Sequence, residues 1–244
     1  NLPFATKSLL ALKYLNPTPV AAYTAHFVHL TPIHLAANLV GYLVIVPELY
    51  VLAVLADRRR EFLISFFTFL VAFPFVISAL NIMIERPRIG YGFSGILMAF
   101  SGLLPILLLD YVGYHLADGV GMEHSPALFL FGIVLISILA PPNTPLISTT
   151  MVIAGLAGVA YSRKLLANLS DPARLALSTI YQRPGYAECG IVGLTLFILF
   201  IFAAFPRNLV QAGTIINVYT HFLGFGLGFL VSFLTFRWVQ IIEG

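Results

Sequence analysis

The chain has 244 residues, 59% hydrophobic and only 9% charged, with a mean hydropathy of +0.96. Soluble domains carry about 25% charged residues, so a surface that faces water all round is excluded. The net charge of +3 and pI near 9.1 do not point to nucleic acid, because the basic residues lie between apolar runs, where they orient a chain in a bilayer.

Apolar runs of close to 20 residues recur, each long enough for a hydrocarbon core of about 30 Å. They predict an all-α, polytopic transmembrane bundle in one domain over 25–242, preceded by an outer loop or interfacial segment over 1–24. Seven passes are expected: Ala25–Ala56, Phe62–Ile84, Phe93–Val112, Ala127–Ala140, Pro145–Tyr161, Cys189–Phe205 and Ile215–Val239. Pro32 marks where the first becomes a regular helix. Pro141-Pro142-Asn143-Thr144-Pro145 reads as a tight connection between antiparallel helices. Between Ser170 and Tyr181, Asp171 and Pro172 predict a short capped helix on the inner surface. No cleavable signal peptide is visible. The single Cys189 excludes a disulfide framework within the chain and is expected to pack among apolar neighbours.

Lys and Arg set the orientation. If the passes alternate, Arg58, Arg59, Arg60, Arg163, Lys164, Arg174, Arg183 and Arg237 share one side. Positive charge is retained in the cytoplasm, so Glu85–Tyr91 and the start of the last pass face outside.

Polar side chains inside a span are costly and therefore functional candidates. His34 and Asn38 lie four apart and share a helix face. His26 and His29, near the outer boundary, are expected to bond to neighbouring helices or sit among headgroups. Gly92-Phe-Ser94-Gly95 opens the third pass, where small neighbours leave a hydroxyl uncovered. His221 stands one turn before Gly224 and Gly228, a small-xxx-small stripe that admits a close helix partner. A Ser hydroxyl on that partner would satisfy the imidazole. Depth agrees: Ser94 is 16 residues before Asp110, and His221 is 16 before Arg237. Both therefore lie about 24 Å above the inner face, with Asn38 at about 28 Å. Two further polar features read as bland. Glu48, beside Pro47, is expected to be structural or interfacial. Asp110, His115, Asp118, Glu123 and His124 read as a solvated inner loop.

His34-x-x-x-Asn38, Gly92-x-Ser94-Gly95 and His221-x-x-Gly224-x-x-x-Gly228, in this order, resemble the rhomboid intramembrane serine proteases. The resemblance spans most of the chain. It implies Ser94 as nucleophile and His221 as base, a dyad without carboxylate. No Asp or Glu lies between Cys189 and Ile242 to orient the imidazole. It implies an oxyanion site of His34, Asn38 and the Ser94 N–H, with Gly92, Gly95, Gly224 and Gly228 shaping and packing it. Transmembrane protein substrates, cut near their outer end, and the lipid bilayer are the expected partners. No metal or organic cofactor is needed, and a prokaryotic cell membrane with the site open to the extracytoplasmic side is the expected location. The chain also departs from the family. The usual first pass is expected upstream of Asn1. An extra helix pair separates the Ser-bearing and His-bearing helices. Met98 stands where many members have Tyr, and Thr220 where Ala is usual. The competing readings are a non-catalytic rhomboid-like protein that binds membrane helices, and a transporter. Neither His-Glu-x-x-His nor a pair of embedded aspartates is present for the other intramembrane protease chemistries.

Overall fold

The computed structural model describes residues 3–84, 89–139, 145–170, 184–208, 210–211 and 214–243. Ten α-helices dominate them: α1 Phe4–Leu10, α2 Pro19–Thr24, α3 Pro32–Leu55, α4 Arg59–Val71, α5 Phe73–Ile82, α6 Ser94–His115, α7 Ser125–Leu139, α8 Pro145–Ser170, α9 Tyr186–Ala204 and α10 Val218–Glu243. Two short antiparallel ribbons join them, β1 Leu12–Lys13 with β2 Ile89–Gly90, and β3 Val210–Gln211 with β4 Thr214–Ile215. Among the described residues, five helices are long and apolar enough to cross a bilayer, or six segments if the bent pair α4–α5 counts as one. The chain is therefore an all-α bundle of membrane-spanning character. Its many exposed Leu, Val, Ile and Phe side chains are what a lipid-facing surface requires.

Two of the seven expected passes take a different form. The second is two helices bent by 46° at Ala72. Pro74 accounts for the break, since it lacks the N–H and its ring collides with the carbonyl four residues back. The fifth becomes α8, which runs on through Arg163 and Lys164 to Ser170 and is not among the helices apolar enough to span. Its predicted stretch of 17 residues is interrupted by Ser148, Thr149 and Thr150. The expected helix within 171–181, the Pro141–Thr144 turn, and Arg86, Arg88, Arg174 and Arg183 lie outside the described residues.

The helix carrying Ser94 forms the axis of the bundle. In α6 nearly every side chain from Gly95 to Leu109 is buried, which is why it shows no amphipathic stripe. It packs against α3, α9 and most extensively α10. At the α6–α10 seam the backbones touch. A Cβ on Gly224 would strike the Gly95 carbonyl, one on Gly228 the Ala99 carbonyl, and one on Gly102 the Phe225 carbonyl. Only glycine allows so close an approach.

The cluster expected to be solvated is so only in part: Asp118 and Glu123 are exposed, whereas Asp110 and His115 are tied at the end of α6 opposite Ser94. Arg58 donates from Nε to Asp110 Oδ2 at 2.8 Å and from a terminal nitrogen to Glu61 at 3.3 Å. Asp110 Oδ1 accepts from the Met122 N–H at 2.6 Å, and His115 bonds to the Leu55 carbonyl. His124 is buried. Charges at a helix end that would otherwise meet hydrocarbon are thus paired, as burial demands.

Candidate active site

The N-terminal ends of α3, α6 and α10 and the C-terminal ends of α5 and α9 surround a cavity of about 580 Å³ that holds both Ser94 and His221. One wall is apolar, from Val40 and Val44 of α3 and Leu196, Leu199 and Phe200 of α9; the other is polar, from Ser78, Asn81, Asn217 and Thr220. Among the described residues, no Asp, Glu, Lys or Arg lines it.

The meeting anticipated between the third and last passes is present. The Ser94 hydroxyl donates to His221 Nε2 at 2.8 Å, and His221 Nδ1–H donates to the Ala204 carbonyl at 2.7 Å. These two bonds fix the tautomer, because Nδ1 must carry the proton to reach a carbonyl, leaving the Nε2 lone pair for the hydroxyl. Ala204 is the last residue of α9, so its carbonyl is one of the four that a helix leaves without a partner. It also stands at the negative end of the helix dipole. A backbone oxygen here takes the orienting place that a carboxylate holds in a Ser-His-Asp triad. Residue identities could not reveal it, because any side chain can sit on a carbonyl.

Ser94 is the first residue of a 22-residue helix whose N-cap, Phe93, offers no capping side chain. The Ile96 and Leu97 N–H groups donate to the Phe93 carbonyl at 2.9 and 3.0 Å, which leaves the Ser94 and Gly95 amides as those without a capping side chain, the usual setting for anion binding. His34 and Asn38 line the same cavity. The Asn38 amide donates to the His34 carbonyl at 2.9 Å, which leaves its second N–H. The His34 ring sits edge-on to Tyr91 and His29.

Gly92 shapes the approach to the nucleophile. Its φ is +104°, and a Cβ would stand 2.6 Å from the His34 ring. Both facts restrict the position to glycine. Two bonds then hold the loop from outside: the Gly92 N–H donates to the Ala25 carbonyl at 2.9 Å, and the Phe93 N–H to His29 Nε2 at 3.4 Å. His26 Nε2 meets Ser78 Oγ at 3.1 Å, and Ser78 Oγ donates to the Ala22 carbonyl at 2.7 Å. Of the two bland readings for these histidines, bonding to neighbouring elements is the one observed. His29 also turns out to clamp the residue preceding Ser94.

Both histidines lie outside the spans, and both are pushed down to about 4 by burial, His29 with a further contribution from the neighbouring His34. An unfolded chain takes up these protons below about 6.5, whereas the folded protein resists until about 4. Stability is therefore expected to fall as the pH drops from about 6.5 toward 4 and to level off below that. Thermal unfolding in detergent between pH 7 and 4 tests this. The joint substitution His26→Gln, His29→Gln should flatten the slope, and an unchanged slope would assign it to other groups.

A second network positions the base. Asn217, just before α10, accepts at Oδ1 from the Thr220 N–H at 3.3 Å, an N-cap arrangement. Its amide donates to Asn81 Oδ1 at 3.0 Å and to Tyr14 Oη at 3.2 Å, and Thr220 Oγ1 also donates to Asn81 Oδ1 at 3.0 Å. Thr220 in turn contacts the site of Gly95, where a Cβ would lie 2.7 Å from its methyl. Asn81, Asn217 and Tyr14 carry no spacing signal relative to one another, so sequence reasoning passed them over. Asn81→Leu removes one acceptor from two donors, and leaving such donors unmet costs about 1–3 kcal/mol each. A melting point several degrees lower is expected, with slower reaction of Ser94 toward a fluorophosphonate. Unchanged reactivity would mean that the network supports the fold alone.

No family model, no curated protein sequence and no solved structure matches this chain.

Proposed function

We propose that the chain is a rhomboid-type intramembrane serine endopeptidase that hydrolyses peptide bonds in or near transmembrane helices of other membrane proteins. The observation that carries this reading is the 2.8 Å bond between Ser94 Oγ and His221 Nε2, with the opposite ring nitrogen held by a carbonyl. A serine hydroxyl is a weak nucleophile until a base is placed on it.

In this mechanism Ser94 Oγ attacks the scissile carbonyl carbon while its proton passes to Nε2. The Ser94 N–H, His34 and the free Asn38 N–H stabilise the oxyanion, the contribution that is usually largest in acyl transfer. Collapse expels the amine, which takes the proton from His221, and leaves an acyl-serine. Water then enters along the polar wall and gives its proton to Nε2. The resulting hydroxide attacks the ester, and Oγ leaves reprotonated with release of the acid. The Ala204 carbonyl partly stabilises each imidazolium. No metal or organic cofactor enters any of these steps.

The substrate class follows from the apolar wall. A helix in the bilayer has all its backbone groups bonded internally, so one peptide must leave that helix to reach Ser94. Residues that weaken helices near the cut should therefore speed cleavage. Arg58–Arg60 at one end and the dyad toward the other, read with the positive-inside rule, support a site open to the extracytoplasmic side of a prokaryotic cell membrane. Purified wild type and Ser94→Ala, incubated with a single-pass reporter substrate, provide the test. Cleavage by the wild type alone is expected, and equal cleavage by both would end the proposal.

A further inference from the structure

We infer that Glu48 is a substrate-reading position, a hydrogen-bond acceptor for a donor side chain buried in the substrate's transmembrane helix about six to ten residues inward of the scissile bond. The inference rests on the protease reading.

Glu48 is the only acidic residue in α3, and it stands seven residues before Leu55. That is about 10 Å inside the inner helix end, too deep for a short carboxylate side chain to reach the headgroups. Of the structural and interfacial roles its sequence context suggested, this depth disfavours the interfacial one. An ionisable group kept in hydrocarbon needs an explanation through its partners, and its partners are poor. One carboxyl oxygen accepts from Cys189 Sγ at 3.8 Å, and a thiol is a weak donor. Arg58, just past the end of α3, is engaged with Asp110 and Glu61. A carboxyl group offers about four acceptor directions, so most of its capacity is unspent.

Its position gives that capacity a use. Val44, one turn outward on α3, and Leu196, one turn outward of Gly193 on α9, both line the cavity that holds Ser94. Opposite the carboxyl, α9 presents Gly193, where an added Cβ would lie 3.4 Å from Glu48 Oε1. The acid thus marks the inner end of the seam whose outer part is the apolar wall. From Asn38 in the cavity to Glu48 is ten residues, about 15 Å along α3. A substrate bound at Ser94 and continuing inward beside this wall brings its own residues past Glu48. Those still in a helix advance 1.5 Å each and those drawn into extended chain about 3.3 Å, hence the range of positions. A leucine there leaves the acceptor unmet, whereas Asn, Ser or Lys satisfies it. Hydrogen bonds between membrane helices are modest, which corresponds here to about a three- to thirty-fold gain in kcat/KM.

The test is a walk. A single Asn, and in a parallel series a single Gly, is moved through positions 4–12 inward of the cut in an otherwise Leu-rich reporter helix. Gly weakens the helix without donating, so the position where Asn exceeds Gly isolates the hydrogen bond. One or two such positions are expected within the range, with about a five-fold advantage that disappears in Glu48→Leu and survives in Glu48→Gln, which keeps an amide acceptor. Fluorophosphonate labelling of Ser94 should be equal in all three proteins. A wild-type profile in which Asn never exceeds Gly overturns the inference, whether or not the variants fold, and so does an advantage that persists in Glu48→Leu. Failure of the wild type to cleave any member, with no labelling of Ser94, would instead overturn the protease reading and this inference with it.

Discussion

His221→Ala is expected to lower cleavage and fluorophosphonate labelling of Ser94 by about 10³-fold or more while leaving the melting point within a few degrees of wild type. The size follows from the geometry. Without Nε2 at 2.8 Å, the hydroxyl loses the base it is hydrogen-bonded to, and losing either member of a nucleophile–base pair removes nearly all that the pair contributes. What remains is the effect of the oxyanion donors and of binding. The ring's other partner, the Ala204 carbonyl, ends a helix and can turn to water in the cavity, so the fold should survive. Labelling at the wild-type rate would show that Ser94 reacts without this base.

Gly224→Val should have the largest structural effect. A Cβ at 224 would strike the Gly95 carbonyl and lie 3.2 Å from Met98 Cβ, so α6 and α10 must separate along the seam that sets the dyad. Overpacking of a core commonly costs about 1–3 kcal/mol, and a backbone atom cannot swing away as a side chain can, so the upper end of that range or beyond is expected. Two residues on, Gly226 has nothing within 4 Å of its Cβ position. Gly226→Ala should leave stability unchanged or raise it by about 0.5–1 kcal/mol, since glycine weakens a helix interior. Thermal unfolding of the two variants in one detergent checks both, and similar losses at 224 and 226 would refute the account of the seam.

Much of the site was readable because its determinants are side-chain identities at helical spacing. Ser94 beside glycines and His221 one turn before Gly224 and Gly228 predicted a close helix pair with two polar groups at one depth, and the 2.8 Å bond is that pair. The membrane-spanning character was equally legible in the apolar runs. Four features were not. The orienting partner of His221 is a main-chain carbonyl, which leaves no mark on the residue alphabet. The Asn81–Asn217–Tyr14 network joins segments more than a hundred residues apart, where spacing carries no information. The break at Ala72 was available in principle from Pro74, yet a proline near the middle of a long apolar run can kink or end a helix, and hydropathy alone does not separate the two. Likewise, the paired inner end around Asp110 reads as solvated when its charges are counted without their partners.

The carbonyl that orients His221 belongs to α9, whereas the imidazole belongs to α10 and the hydroxyl to α6. The reacting pair therefore rides on two helices locked backbone to backbone, while the atom that arms it sits on the helix forming half of the apolar wall. On the proposed protease reading, a tilt of α9 that admits a substrate would withdraw Ala204 O from Nδ1 and free the ring to exchange its tautomer, a change that nitrogen-15 shifts of His221 would register. Entry and reactivity would then be set in opposition, the proposed dyad idle while the door stands ajar and competent again when it shuts behind the guest.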